Sequence, residues 1–122
     1  MLILLTPPTR EELELERLAE NVLRRFRIGG NLDGFHFLVT AVAKTVRDPM
    51  LASGVTKTLY IEIARRYGVT PSQVERSMRT AINACWMRGG YEELNKVAGY
   101  RITERPTNAE FVDLVAAYIR NI

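Results

Sequence analysis

Apolar side chains recur every three to four positions along most of this chain, the period of helices that bury one face. The opening MLILL is followed by Thr6-Pro7-Pro8, and the prolines stop it from continuing into a helix, so residues 1–8 read as an extended arm. Thr9 and Glu12 form a capping box that starts a first helix, with Leu13, Leu18, Val22, Leu23 and Phe26 as its apolar stripe. Its acids Glu11, Glu12, Glu14 and Glu16 lie early, and Arg24, Arg25 and Arg27 lie late, each sign at the dipole end that stabilises it. That ordering accounts for the charges without nucleic acid. Gly29-Gly30-Asn31 breaks the pattern, and a strongly apolar helix runs from about Leu32 to Arg47 on Phe35, Leu38, Val39, Val42, Ala43 and Val46. Asp48-Pro49 ends it, because the residue before proline resists the helical conformation.

The stretch from Val55 to Arg88 reads as two helices joined by a sharp turn. Leu59, Ile63 and Ala64 give the first its apolar face, and Gly68 can take the left-handed conformation that ends it. Thr70 and Gln73 form a reciprocal cap for the second, with Pro71 at the first helical position, where a missing N–H costs nothing. Val74, Met78, Ala81, Ile82, Cys85 and Trp86 make one apolar stripe, leaving Ser72, Glu75, Arg76, Arg79 and Asn83 to the opposite face. Ala64, Gly68 and Val74 fit a helix-turn-helix: a small residue for close approach, a turn glycine and an apolar anchor. Beyond Gly89-Gly90, Tyr91 to Val97 suits a short helix closed by Gly99, and Tyr100 to Arg105 a loop. A capping box at Thr107 and Glu110 opens a last helix on Phe111, Leu114, Val115, Tyr118 and Ile119. The pattern predicts an all-α fold of five or six helices in one domain, residues 9–122.

Composition agrees: 122 residues, 47% hydrophobic and 25% charged, suit one compact domain with a real core. From Thr56 to Arg88 the bases Lys57, Arg65, Arg66, Arg76, Arg79 and Arg88 face only Glu62 and Glu75, a net of +4 in a chain of net +3. Arginines on the exposed N-terminal half of a second helix suit base edges in a major groove, since guanidinium can donate twice to guanine O6 and N7. A solvated face looks the same, and pattern alone leaves both readings open. The MLILL arm is too short for a membrane span and lacks a basic leader and cleavage site, so a cytoplasmic chain is expected. A sequence pI near 9.3 favours anionic partners, but no helix pairs a broad lysine face with exposed aromatics as a membrane binder would.

Enzyme chemistry finds no inventory. There is no glycine-rich phosphate loop and no zinc-ligand spacing, and His36, the only histidine, has no second ligand or nucleophile beside it in sequence. Cys85 lies on an apolar stripe as a small buried hydrophobe, and adjacent Glu92 and Glu93 point apart on a helix. No catalytic residue, metal or cofactor is expected.

Six short stretches carry a resemblance: GFHFL (Gly34 to Leu38), VTKTLY..IA (Val55 to Ala64), VERSMR.AI (Val74 to Ile82), W.RG (Trp86 to Gly89), GY (Gly99, Tyr100) and RPTN.EF (Arg105 to Phe111). In this order and spacing, covering the chain from about Arg27 to its end, the series resembles the C-terminal effector domain of the sporulation response regulators, the stage-zero transcription factors of spore-forming Firmicutes. The resemblance implies an all-α domain that binds double-stranded DNA, with its second helix in the major groove and copies set head-to-tail on tandem sites. It places Glu75, Arg76 and Arg79 on the DNA-reading helix. It also likens Met87 to Gly99 to the region touching the RNA polymerase sigma subunit, with Arg88, Tyr91, Glu92, Glu93 and Lys96 as contact candidates. Gln73 stands where a basic residue is usual, Ile61 near a usual proline, and Thr80 and Asn83 also depart. A receiver domain normally precedes this one, and nothing before Arg27 could form it, so the chain is expected to be an excised domain or a stand-alone protein. On this reading Lys57, Arg65 and the amides that open the second helix meet phosphates, and Ser72 and Gln73 belong to the same DNA-binding set. Arg76 and Arg79, flanked by Glu75 and Asn83, meet bases. The alternatives are a protein-interaction module that kept the fold without DNA affinity, and phosphate binding without sequence preference.

Overall fold

The computed structural model describes Leu5 and residues 7–29, 32–51 and 56–122. Residues 1–4 and 6 of the expected arm, Gly30-Asn31 of the expected helix break, and Val55 lie outside the described residues. Six α-helices follow one another: α1 (Arg10–Leu23), α2 (Asp33–Arg47), α3 (Thr56–Tyr67), α4 (Pro71–Met87), α5 (Tyr91–Ala98) and α6 (Asn108–Arg120). Single 3-10 turns lie at Arg24–Phe26 and Pro49–Leu51, and no strand occurs among the described residues. The fold is all-α, as the hydrophobic period predicts.

Local chemistry explains where the helices begin and end. Thr9, Thr70 and Thr107 each accept from the backbone N–H three residues on, and at α4 and α6 the Gln73 and Glu110 side chains bond back to complete the box. Gly99 closes α5 in the left-handed region, φ 80°. The end of α1 differs from expectation. Arg24, Arg25 and Phe26 form a tighter turn beyond it, so these bases follow the helix instead of occupying its last turn. Arg24 pairs with Glu20 at 3.5 Å and Arg25 with Glu93 of α5 at 3.4 Å.

The apolar stripe of α1 is also narrower than the spacing suggested. Ala19, Val22, Leu23 and Phe26 are buried, whereas Leu13 and Leu18 are 43% and 44% exposed. At roughly 100° per residue, Leu13 and Leu18 project about 130° and 90° to opposite sides of the line through the buried four.

Helix α2 is the central support, packed against α1, α4 and α6. Its Phe35, Phe37, Leu38 and Val42 are fully buried, and Phe26 meets Phe111 of α6 edge to face at 5.6 Å. Helix α2 comes close to α4 at Gly34, where an added Cβ would collide with the Ser77 carbonyl. A side chain there would push α4 outward. No helix among the described residues is long and apolar enough to cross a membrane.

Candidate nucleic-acid interface

Helices α3 and α4 are joined by Gly68, Val69 and Thr70, with Gly68 at φ 69° and Val69 N–H bonded to the Ala64 carbonyl at 3.1 Å. Leu59, Ile63 and Ala64 on α3 and Val74, Met78, Ala81, Ile82 and Cys85 on α4 are buried, which anchors the pair to the core. Burial pushes the Cys85 thiol up to about 11, so it stays protonated at neutral pH. The opposite face of α4 is open: Ser72, Gln73, Arg76, Arg79, Thr80 and Asn83 are exposed and Glu75 is half-buried. Lys57 and Arg65 on α3 are exposed as well.

Electrostatics divides the arginines of this stretch. Arg79 donates to the Glu75 carboxylate at 2.6 Å one turn earlier, with side chains 51% and 36% exposed. An exposed i,i+4 pair of this kind is worth only about 0.3–0.5 kcal/mol, so Arg79 can exchange Glu75 for another acceptor at little cost. Arg66 is different. Its guanidinium forks onto Glu16 of α1 at 2.9 and 3.0 Å, with side chains only 7% and 14% exposed. It ties α3 to α1, which withdraws one of the six bases of this stretch from the exposed face.

Two other expected contacts are committed inside the chain. The Gln73 side-chain carbonyl accepts from Thr70 N–H at 2.9 Å, which holds the residue at the start of α4. Glu93 lies between Arg25 and Lys96, at 3.4 and 3.9 Å. Arg88 reaches the Arg27 carbonyl at 3.4 Å, while Tyr91, Glu92 and Lys96 remain exposed beside Met87, with the Tyr91 ring 6.0 Å from Trp86. His36 is exposed, and no cluster of His, Cys, Asp or Glu among the described residues could hold a metal ion.

Sequence reasoning missed one residue that touches this surface. Asn108, at the start of α6, donates from Nδ2 to the Tyr60 hydroxyl on α3 at 3.1 Å and to the Glu75 carbonyl on α4 at 3.0 Å. Its partners lie 48 and 33 residues away in sequence, so no local spacing signals them. Arg105, exposed in the loop before α6, lines a groove of about 270 Å³ with Glu75 and Arg79. The Glu16 partner of Arg66, 50 residues away, was hidden for the same reason.

Helix α4 opens on a capping box and is anchored by a buried stripe, as its capping residues and apolar period predict. The family model described as Sporulation initiation factor Spo0A C terminal matches residues 19–119, nearly the whole chain. The chain belongs to this family. Its members are DNA-binding transcription factor domains, not enzymes, and that ties the chain to DNA and to transcription regulation in sporulation. Within the family match lie α2 through α5 whole, the end of α1 and nearly all of α6.

Proposed function

We propose that the chain is a sequence-specific regulator that inserts α4 of a helix-turn-helix into the major groove of double-stranded DNA. The observation that carries this is the open face of α4, where Arg76 and Arg79 stand outward from a rod whose other face is buried. Lys57, Arg65, Ser72 and the amides at the start of α4 hold phosphates and set register. Arg76 and Arg79 read base edges, with Glu75 and Asn83 flanking them. Gln73 contributes through the cap that aims the helix. Residues 9–122 form the effector unit and residues 1–8 an arm; the protein acts in the cytoplasm without cofactor, metal or catalysis.

Copies set head-to-tail on tandem sites would gain affinity because each holds the next at high effective concentration. The surface of Arg88, Tyr91, Glu92, Glu93 and Lys96 is assigned to the polymerase sigma subunit, with the exposed Tyr91 as its apolar anchor. A second reading, an interaction module without DNA affinity, draws on the Glu75 carboxylate that already engages Arg79.

Selection of bound duplexes from a random pool separates the readings. A specific reader enriches a short motif rich in guanine contacts. Binding that weakens with salt yet enriches no motif would indicate phosphate contact alone, and no retention at low salt would leave the interaction module.

A further inference from the structure

Among the described residues only four polar or charged ones are buried, Thr40, Thr45, Arg66 and Asn108. Arg66 has Glu16, and Thr40 shares a hydrogen bond with the Tyr67 hydroxyl. Asn108 is the one directed at the surface discussed above. Its choice is not explained by helix initiation, since Thr107 and Glu110 already satisfy the box that opens α6. A side-chain amide that is only 9% exposed is costly unless its hydrogens are used, and here both are accounted for by acceptors on two other helices.

Those acceptors define a role. The Glu75 carbonyl belongs to the turn of α4 that also carries the Glu75 and Arg79 side chains, and Tyr60 lies on α3. Burial raises the Tyr60 hydroxyl above its usual range, so it stays a neutral phenol whose oxygen accepts from Asn108. Beside the amide lies open space, the groove of about 270 Å³ lined by Tyr60, Glu75, Arg79, Arg105 and Thr107. The amide therefore bridges α3, α4 and α6 at the edge of a groove.

We propose that Asn108 is a positioning residue for sequence discrimination: it pins the Glu75–Arg79 turn of α4 to α6 and, through Tyr60, to α3, and so fixes the angle at which Arg79 meets a base edge. The inference rests on the DNA-reading role proposed above. Bidentate base contacts tolerate displacements of only about 0.5 Å, whereas lysine and arginine reach phosphates on long flexible stems. A tilt of α4 consequently degrades reading before it degrades adherence. Only a donor serves: aspartate would place a carboxylate against the Glu75 carbonyl, and alanine would leave both acceptors without Asn108.

The test uses the full chain, the duplex recovered by selection with the unsubstituted protein, and a scrambled duplex of the same composition. Affinities for both are measured for Asn108→Ala, Asn108→Asp and Tyr60→Phe at a temperature where circular dichroism shows each to be folded. The expected result is a loss of about tenfold in the ratio of the two affinities for Asn108→Ala and Asn108→Asp, with scrambled-duplex affinity kept within about twofold. Tyr60→Phe, which keeps the Glu75 bond, shows a smaller loss in the same direction. An unchanged ratio in folded Asn108→Ala, or equal loss on both duplexes, overturns the proposal. If Asn108→Asp does not fold, Asn108→Ala and Tyr60→Phe decide, and unaltered ratios in both count against it. Failure of the unsubstituted protein to distinguish the duplexes instead removes the DNA-reading role itself.

Discussion

At the scale of single residues, the arginines of the α3–α4 stretch are chemically alike and structurally unlike. Arg66 is enclosed with Glu16, Arg79 rests on Glu75 at the surface, and Arg76 is exposed. Of these three only Arg76 and Arg79 are open to a duplex, and Arg79 would meet one by giving up an ion pair that is weak because water screens it. Replacing Arg79 with alanine should cost about 1–3 kcal/mol on the selected duplex and relax discrimination at one base pair. Lys57→Ala should weaken every duplex alike and lower the slope of log affinity against log salt by about one. Fluorescence anisotropy titrations over a range of salt on selected and scrambled duplexes read both quantities, and equal loss across duplexes for Arg79→Ala would show it to be a phosphate contact.

At the scale of elements, the ends of the helices carry more information than their middles. The same threonine-led box opens α4 and α6, and in α6 its acid member titrates. The Thr107 backbone N–H, which donates to Glu110 at 2.9 Å, holds that carboxyl below its ordinary 4.5, helped by the Thr107 hydroxyl. A carboxyl held low when folded adds stability above its unfolded value and loses it as pH falls below about 4.5. Urea midpoints at pH 6 and pH 3 should therefore show wild type ahead of Glu110→Gln at the higher pH, with the gap closing at the lower. The effect is modest because Glu110 is exposed. A gap that widens in acid would contradict the assignment. Close approach is the other elementary device, and at Gly34 it is the absence of a side chain that brings α2 against α4.

At the scale of the whole molecule, α2 supports the structure, while among the described residues Glu16 ties α1 to the α3–α4 pair and Asn108 ties α6 to it by two hydrogen bonds. The α1 tie is the Glu16–Arg66 fork, mostly withdrawn from water. Removing one partner leaves a charge without its counterpart, so Glu16→Ala should cost about 3 kcal/mol. The double variant Glu16→Ala/Arg66→Met should recover part of that loss, because the orphaned charge is gone. Urea denaturation of both singles and the double gives the coupling, and additive losses would mean the pair contributes nothing jointly. Arg66→Met should also leave the salt slope of DNA binding unchanged, since the side chain does not face the duplex. That outcome separates the tie from the interface.

Periodicity, caps and breakers are properties of neighbours in the chain, and for that reason an all-α fold of five or six helices, the turn at Gly68 and the open face of α4 could be read from the residues alone. The family followed from short motifs in order, of which RPTN.EF contained Asn108 without disclosing its task. Tertiary structure alone decided which partners lie far away in sequence. It enclosed Arg66, moved Leu13 and Leu18 out to solvent, brought Gly34 onto the Ser77 carbonyl, and set Asn108 between α3 and α4. A charge, a leucine or an amide carries the same symbol whether buried or exposed, and its energy depends on the groups that folding places around it.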